Sequence, residues 1–246
     1  MTVEGEEDLA GLARAGRAVA EARDAMAEAV APGVSTGELD AIGRDVLRGH
    51  GARSAPRLTY GFPGSTCISV NHEAAHGVPS RLRVLHDGDL VNLDVSAELD
   101  GYWADTGLSV GVGTLDRTAA RLLDATRRTQ GEAMAAARAG RRLRDIGRAA
   151  SRCARRHGFH VVPNLNGHGI GRGLHEAPSV PSVDDGSDLV LWEGLVLAIE
   201  PFLSVAPTEA VDGGDGWTLV TADGGLAAQH EHTVVVTAGQ PIVLTR

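Results

Sequence analysis

Four carboxylates stand inside apolar runs, where a solvated acid would not be placed. Asp94 sits in LVNLDVS, Asp105 in YWADTG, Glu200 in LVLAIEPF and Glu231 in AAQHEHTVVV. Burying a carboxylate is costly unless a cation or hydrogen bonds compensate it. A single such acid is usually a paired or edge-strand residue, but four, two in each half of the chain and in matching places, exceed that explanation. Two histidines keep the same order. His76 in HGVP precedes the aspartates and His168 in HGIG precedes the glutamates, with His175 following in GLHEAP. Carboxylate oxygens with imidazole nitrogens suit Mn, Fe, Co or Zn rather than thiolate-seeking ions. Four carboxylates are too many for one small divalent ion and fit two ions sharing bridging carboxylates, about 3.5–4 Å apart in such sites. Water acidified by a pair of ions is a strong nucleophile near neutral pH, so the chemistry in view is hydrolysis.

The elements that must position these groups can be read from periodicity. Leu9, Leu12, Val19, Met26 and Val30 recur at helical spacing over residues 7–30. After Pro32-Gly33, Ser35 with Glu38 forms a capping box for a second helix with Leu39, Ile42, Val46 and Leu47 on its apolar face. From Thr66 the texture changes to short strands: CISV, LVNLDVSAEL and YWADTGLSVGV, the last two joined by the hairpin signal Asp100-Gly101. On alternating strands Asn92, Asp94 and Ser96 share one face, as do Gln229, Glu231 and Thr233. Residues 115–138 and 143–157 then read as two more helices, the second ending at Gly158. FHVVP, the loop NGHGIGRG, a strand LVLAIEPFL and a hairpin GWTLV/LAAQHEHTVVV around Asp223-Gly224 complete the chain. The order helix, helix, strands occurs twice. This predicts one α+β domain over 1–246, with two related halves (about 6–112 and 113–246) on a continuous antiparallel sheet.

Composition narrows the class. The chain has 246 residues, 43% hydrophobic and 22% charged, with a net charge of −9. These values fit a globular protein and argue against a nucleic-acid binder. All 23 basic residues are Arg. The acidic start and the lack of a long apolar window predict neither a secretion signal nor a membrane span. Cys67 and Cys153, far apart and outside any CxxC, point to a reducing, cytoplasmic setting.

These motifs resemble type I methionine aminopeptidases of the M24 metallopeptidases. GVSTGELD, GFPGSTCISVN, HGVP, DGDLVNLDV, the ADTG turn, GHGIGRGLHEAP, AIEP and GWTLVTADGGLAAQHEHT occur in family order over roughly residues 10 to 244. The resemblance implies a pita-bread fold, with pseudo-symmetric halves on a curved sheet and helices outside, and removal of the N-terminal methionine from nascent chains with small second residues. It also implies two divalent ions (Co, Mn, Fe or Zn): Asp94 on one, His168 and Glu200 on the other, Asp105 and Glu231 bridging. Glu200 would shuttle the proton, His175 would stabilise the developing oxyanion, and His76 would hold the scissile amide. Phe62, Cys67 and Trp217 would form the methionine pocket, with Tyr60 and Gln229 as neighbours. His230, Thr59, Tyr60 and Leu174 depart from the residues of relatives, which bears on the pocket's shape rather than on any ligand.

Other readings stand beside this one. An Xaa-Pro peptidase of the same fold usually carries a further N-terminal domain, and a type II enzyme carries a long insertion between the last two glutamates, which here are separated by only 30 residues. A non-catalytic binding protein of this fold would have lost metal ligands. The remaining histidines (His50, His72, His86, His157, His160, His230, His232) are expected to be surface or structural, and Cys153 to be core. RRLRD and RCARR read as a solvated helix face, with ribosome docking the lesser reading. A monomer is expected.

Overall fold

The computed structural model describes residues 1–246. Its first helix, α1 (Glu6–Glu28), opens with Glu6, Glu7 and Asp8, acids that favour a helix N-terminus. Its buried stripe of Leu12, Ala15, Val19, Ala22 and Met26 is rich in small side chains, which lets the helix lie close on the strands beneath. α2 (Thr36–Gly49) begins with the expected capping box: Ser35 Oγ accepts from Glu38 N–H at 3.3 Å, and Glu38 accepts from Ser35 N–H at 2.9 Å. After it come β1 (Arg53–Ser54), α3 (Ala55–Tyr60), β2 (Cys67–Val70), β3 (Glu73–Ala75), β4 (Leu90–Leu99) and β5 (Tyr102–Gly111). Next are α4 (Arg117–Ala136), capped by Asp116, and α5 (Arg144–His157), closed by left-handed Gly158. The remaining strands are β6 (His160–Val161), β7 (Gly167–Gly169), β8 (Glu176–Val180), β9 (Val196–Ile199), β10 (Phe202–Ser204), β11 (Ala210–Asp212), β12 (Leu219–Thr221), β13 (Ala227–Gln229), β14 (His232–Val235) and β15 (Ile242–Val243).

The β4–β5 hairpin forms as the sequence predicts. Asp100 and Gly101 both take positive φ (53° and 82°), as a two-residue turn matched to strand twist requires. Its register sets Asp94 opposite Gly107 and Asp105 opposite Ser96, so the two aspartates lie diagonally on one face.

The sheet does not run as one unbroken ladder; its two halves meet through the antiparallel Leu108–His230 bridge. The strands divide into four ladders: β1-β4-β2 with β5, β13-β10-β6, β11-β12-β3 and β15-β14-β9-β7-β8. LVLAIEPFL is broken at Glu200-Pro201, where proline has no N–H to give a ladder, into β9 and β10 on different sheets. AAQHEHTVVV divides in the same way, β13 joining β10 and β14 joining β9. The hairpin expected around Asp223-Gly224 keeps its turn, yet β12 and β13 do not pair. The N–H groups of Thr221 and Ala227 go instead to the carbonyls of His72 and Asn71. The ladders are tied where β5 meets β14: Glu231 N–H donates to Gly107 O at 2.9 Å, and Asp105 N–H to Thr233 Oγ1 at 2.9 Å. The largest buried cluster, 26 residues, lies between α1, α2 and the β4–β5 hairpin.

Candidate metal centre and active site

β4, β5, β7 and the β9–β10 break converge on one cavity of about 550 Å³. Asp94 and Asp105 reach it from the hairpin. His168 on β7 stands opposite Ala198 on β9, which puts it on the same face as Glu200. Its Nε2 lies 3.5 Å from Glu200 Oε1 and 3.8 Å from Asp105 Oδ2. The β9–β14 register, continued by one residue from His232 opposite Ile199, sets Glu231 against Glu200. Asp105, His168 and Glu231 offer ligand atoms that all lie within 4.8 Å of one another.

The donor set fits divalent ions. Nitrogen and oxygen ligands about 2.0–2.2 Å from an ion stand roughly 3–4 Å from each other, the spacing seen around His168. Asp105 Oδ1 and Glu231 Oε1 are buried and accept no hydrogen bond. The Nδ1 of His168 lies 2.9 Å from Gly169 O, so as donor it leaves the Nε2 lone pair facing the acids, the usual arrangement of a ligating histidine. Electrostatics agree. Burial pushes Asp94 up to about 6. Burial, then the charges of Glu231 and Asp94, pushes Asp105 well above the usual carboxylate range. Glu200 rises through burial and the charges of Asp105 and Asp94, and Glu231 through burial and the charges of Glu200 and Asp94. Burial, helped by His175, lowers His168 to about 4, so this imidazole is neutral near pH 7. Crowded acids beside a neutral imidazole make a cation site.

Two further histidines face the same cavity. His76 takes a left-handed backbone (φ 54°), held by Gly77, where a Cβ would stand 2.1 Å from Ile68 O. The ring of His175 lies 4.2 Å from that of His168, and its Nδ1 is 2.5 Å from Tyr60 Oη. Its loop is tied down by Glu176, whose Oε1 accepts from Arg172 and Gly173 N–H and whose Oε2 pairs with the Met1 ammonium. Burial lowers the pKa of both His76 and His175.

The cavity wall beside the acids is apolar. Phe62 and Trp217 meet edge to face, their centroids 5.2 Å apart, with Cys67 and Tyr60 alongside. Gln229 is not part of this wall. It is fully buried and donates from Nε2 to Glu231 Oε2 at 3.0 Å, so it is a support of Glu231 rather than a neighbour of the pocket. Sequence reasoning missed Asn164, Leu165, Asn166 and Phe202, which also line the cavity. Their one signal was proximity: three immediately precede GHG and the fourth comes just after Glu200-Pro201. His50 pairs with Glu21 and His232 with Thr245, both away from the acids.

The sequence pattern of metallopeptidase family M24 matches residues 10–238. The chain belongs to metallopeptidase family M24. Among relatives of this M24 chain, methionine aminopeptidase 2 of Bacillus subtilis (strain 168) is 46% identical over 248 residues, with all of both chains covered. The crystal structure of methionine aminopeptidase from Rickettsia prowazekii superposes with a TM-score of 0.95 at 35% identity, and that from Thermotoga maritima with 0.96 at 32%, all of both chains covered in each case. The fold is therefore the α+β pita-bread fold of that family, and the M24 chain is a metallopeptidase whose buried Asp, His and Glu form a metal-binding group.

Proposed function

We propose that this chain removes the N-terminal methionine from proteins and peptides, holding two divalent ions between Asp94, Asp105, His168, Glu200 and Glu231. The observation that carries the proposal is the group of Asp105, His168 and Glu231, with Asp105 Oδ1 and Glu231 Oε1 buried and unpartnered, beside a cavity that has an aromatic wall. Its full-length similarity to methionine aminopeptidases supports the choice of substrate. When bound, the ions supply an acidified water and polarise the scissile carbonyl.

The chain's own residues do the rest. Glu200 takes the proton of the attacking water and passes it to the departing amine. His175, its Nδ1 engaged by Tyr60, turns its Nε2–H toward the developing oxyanion. His76 holds the scissile amide. Phe62, Trp217 and Cys67 receive the methionine thioether, a favourable contact for sulfur against ring edges. The whole chain acts as one catalytic domain built from two related halves, working as a monomer in the cytoplasm on nascent N-termini. Its divalent ions are Co, Mn, Fe or Zn, the four metals that suit carboxylate and imidazole ligands.

Hydrolysis of Met-Ala-Ser by metal-reconstituted protein, beside Xaa-Pro peptides, tests the proposal. Release of methionine with no cleavage of the Xaa-Pro peptides is expected. Preference for Xaa-Pro, or no hydrolysis with any of the four metals, would overturn it.

A further inference from the structure

Behind the acids lies a buried polar network that neither binds the ions nor touches the substrate. Gln229 is fully buried and Asn92 nearly so. Their hydrogen bonds dictate how each amide points. Asn92 Nδ2 donates to Gln229 Oε1 at 2.9 Å, and it also meets Ser109 Oγ at 3.1 Å and Gln229 O at 3.3 Å. With Oε1 occupied, the amino group of Gln229 must face the other way, and Nε2 donates to Glu231 Oε2 at 3.0 Å. Ser109 Oγ closes the network, donating to Gln229 O and accepting from Gln229 N–H, each at 2.9 Å. Reversing the Gln229 amide would set donor against donor at Asn92 and acceptor against carboxylate at Glu231, a costly arrangement in a buried region. Gly107 makes the room: a Cβ there would stand 2.0 Å from Gln229 Oε1. Glu231 is thus held through Oε2, while its Oε1 is buried with no hydrogen-bond partner, in a residue that is grouped with Asp105 and His168.

We propose that Asn92 and Gln229, in the space left by Gly107, are positioning residues that pin Glu231 Oε2 and so aim Oε1 at the metal centre. This rests on the role of Glu231 as a metal ligand. Partners that orient a ligating carboxylate typically change metal affinity by about 10–100-fold when removed. Asn92 acts through Gln229, so the two contributions do not add.

Calorimetric titration of the metal-free protein with Mn²⁺, its thermal melt and the visible spectrum of the cobalt-loaded form test this on Gln229→Met, Asn92→Ala and the double variant. Gln229→Met is expected to melt near the parent when metal-free, to bind metal about 10–100-fold more weakly and to shift the cobalt spectrum. The double variant should bind no more weakly than Gln229→Met. Parental affinity and spectrum in Gln229→Met, or losses that add in the double variant, would overturn the proposal. Asn92→Ala leaves Gln229 in place and carries the test alone should Gln229→Met not fold: weakened binding supports the role and parental affinity refutes it. A parent that binds no metal pair would instead refute the two-ion reading itself.

Discussion

An acid inside a strand is costly unless a cation or hydrogen bonds compensate it, and Asp94 shows why. Its folded pKa of about 6 exceeds the ordinary value of 3.8 because burial disfavours the ionised form. The metal-free protein therefore loses stability as pH rises from about 4 through 6, since only the folded state resists ionisation there. Asp94→Asn should raise the melting temperature of chelated protein at pH 8 and change it little near pH 4.5; a destabilised variant at pH 8 would mean the ionised carboxylate has a partner. His175 makes the contrasting prediction. It touches His168 and Tyr60 and is assigned to the oxyanion rather than to the ions, so His175→Ala should keep its metal and lose about 10²–10³ in turnover. Metal analysis beside kcat decides, and loss of metal would make it a ligand. At this scale the acids and histidines were legible because their polarity contradicts their apolar surroundings. The place of Gln229 was not: the face a buried amide serves depends on which strands meet behind it.

Among elements, the β4–β5 hairpin was the most legible, because Asp100-Gly101 and two alternating strands state turn, register and face together. The C-terminal strands were not, because alternation alone does not reveal that Pro201 and the His230-Glu231 step hand the chain from one ladder to another. Those breaks are functional in effect, since they turn Glu200 and Glu231 toward the hairpin's aspartates. The HGVP segment is positioned just as tightly, with Gly77 against the Ile68 carbonyl. Gly77→Ala must shift His76, and misplacement of about 1 Å costs roughly 10²-fold in rate. The expected result is a folded, metal-replete variant with kcat/KM reduced to that degree; an unchanged kcat/KM would remove His76 from the reaction.

For the whole molecule, the metal centre is also a joint. Its proposed ligands come from the hairpin, from β7 and from the strand breaks, so an ion bound there would tie separate ladders together. A ligand at 100 times its Kd stabilises the folded state by about 2.7 kcal/mol, or roughly 5–10 °C for a chain of this size. EDTA should lower the melting temperature by that amount at pH 7.5 and by less at pH 5, where protons compete for the carboxylates. Two ions sharing Asp105 and Glu231 are the core of the proposed site, and counting ions tests this most directly. Titration of metal-free protein with Mn²⁺, then elemental analysis, should give two ions per chain, with both lost or greatly weakened in Asp105→Asn and in Glu231→Gln. A single site with no weaker second one, or full loading of either variant, would contradict it.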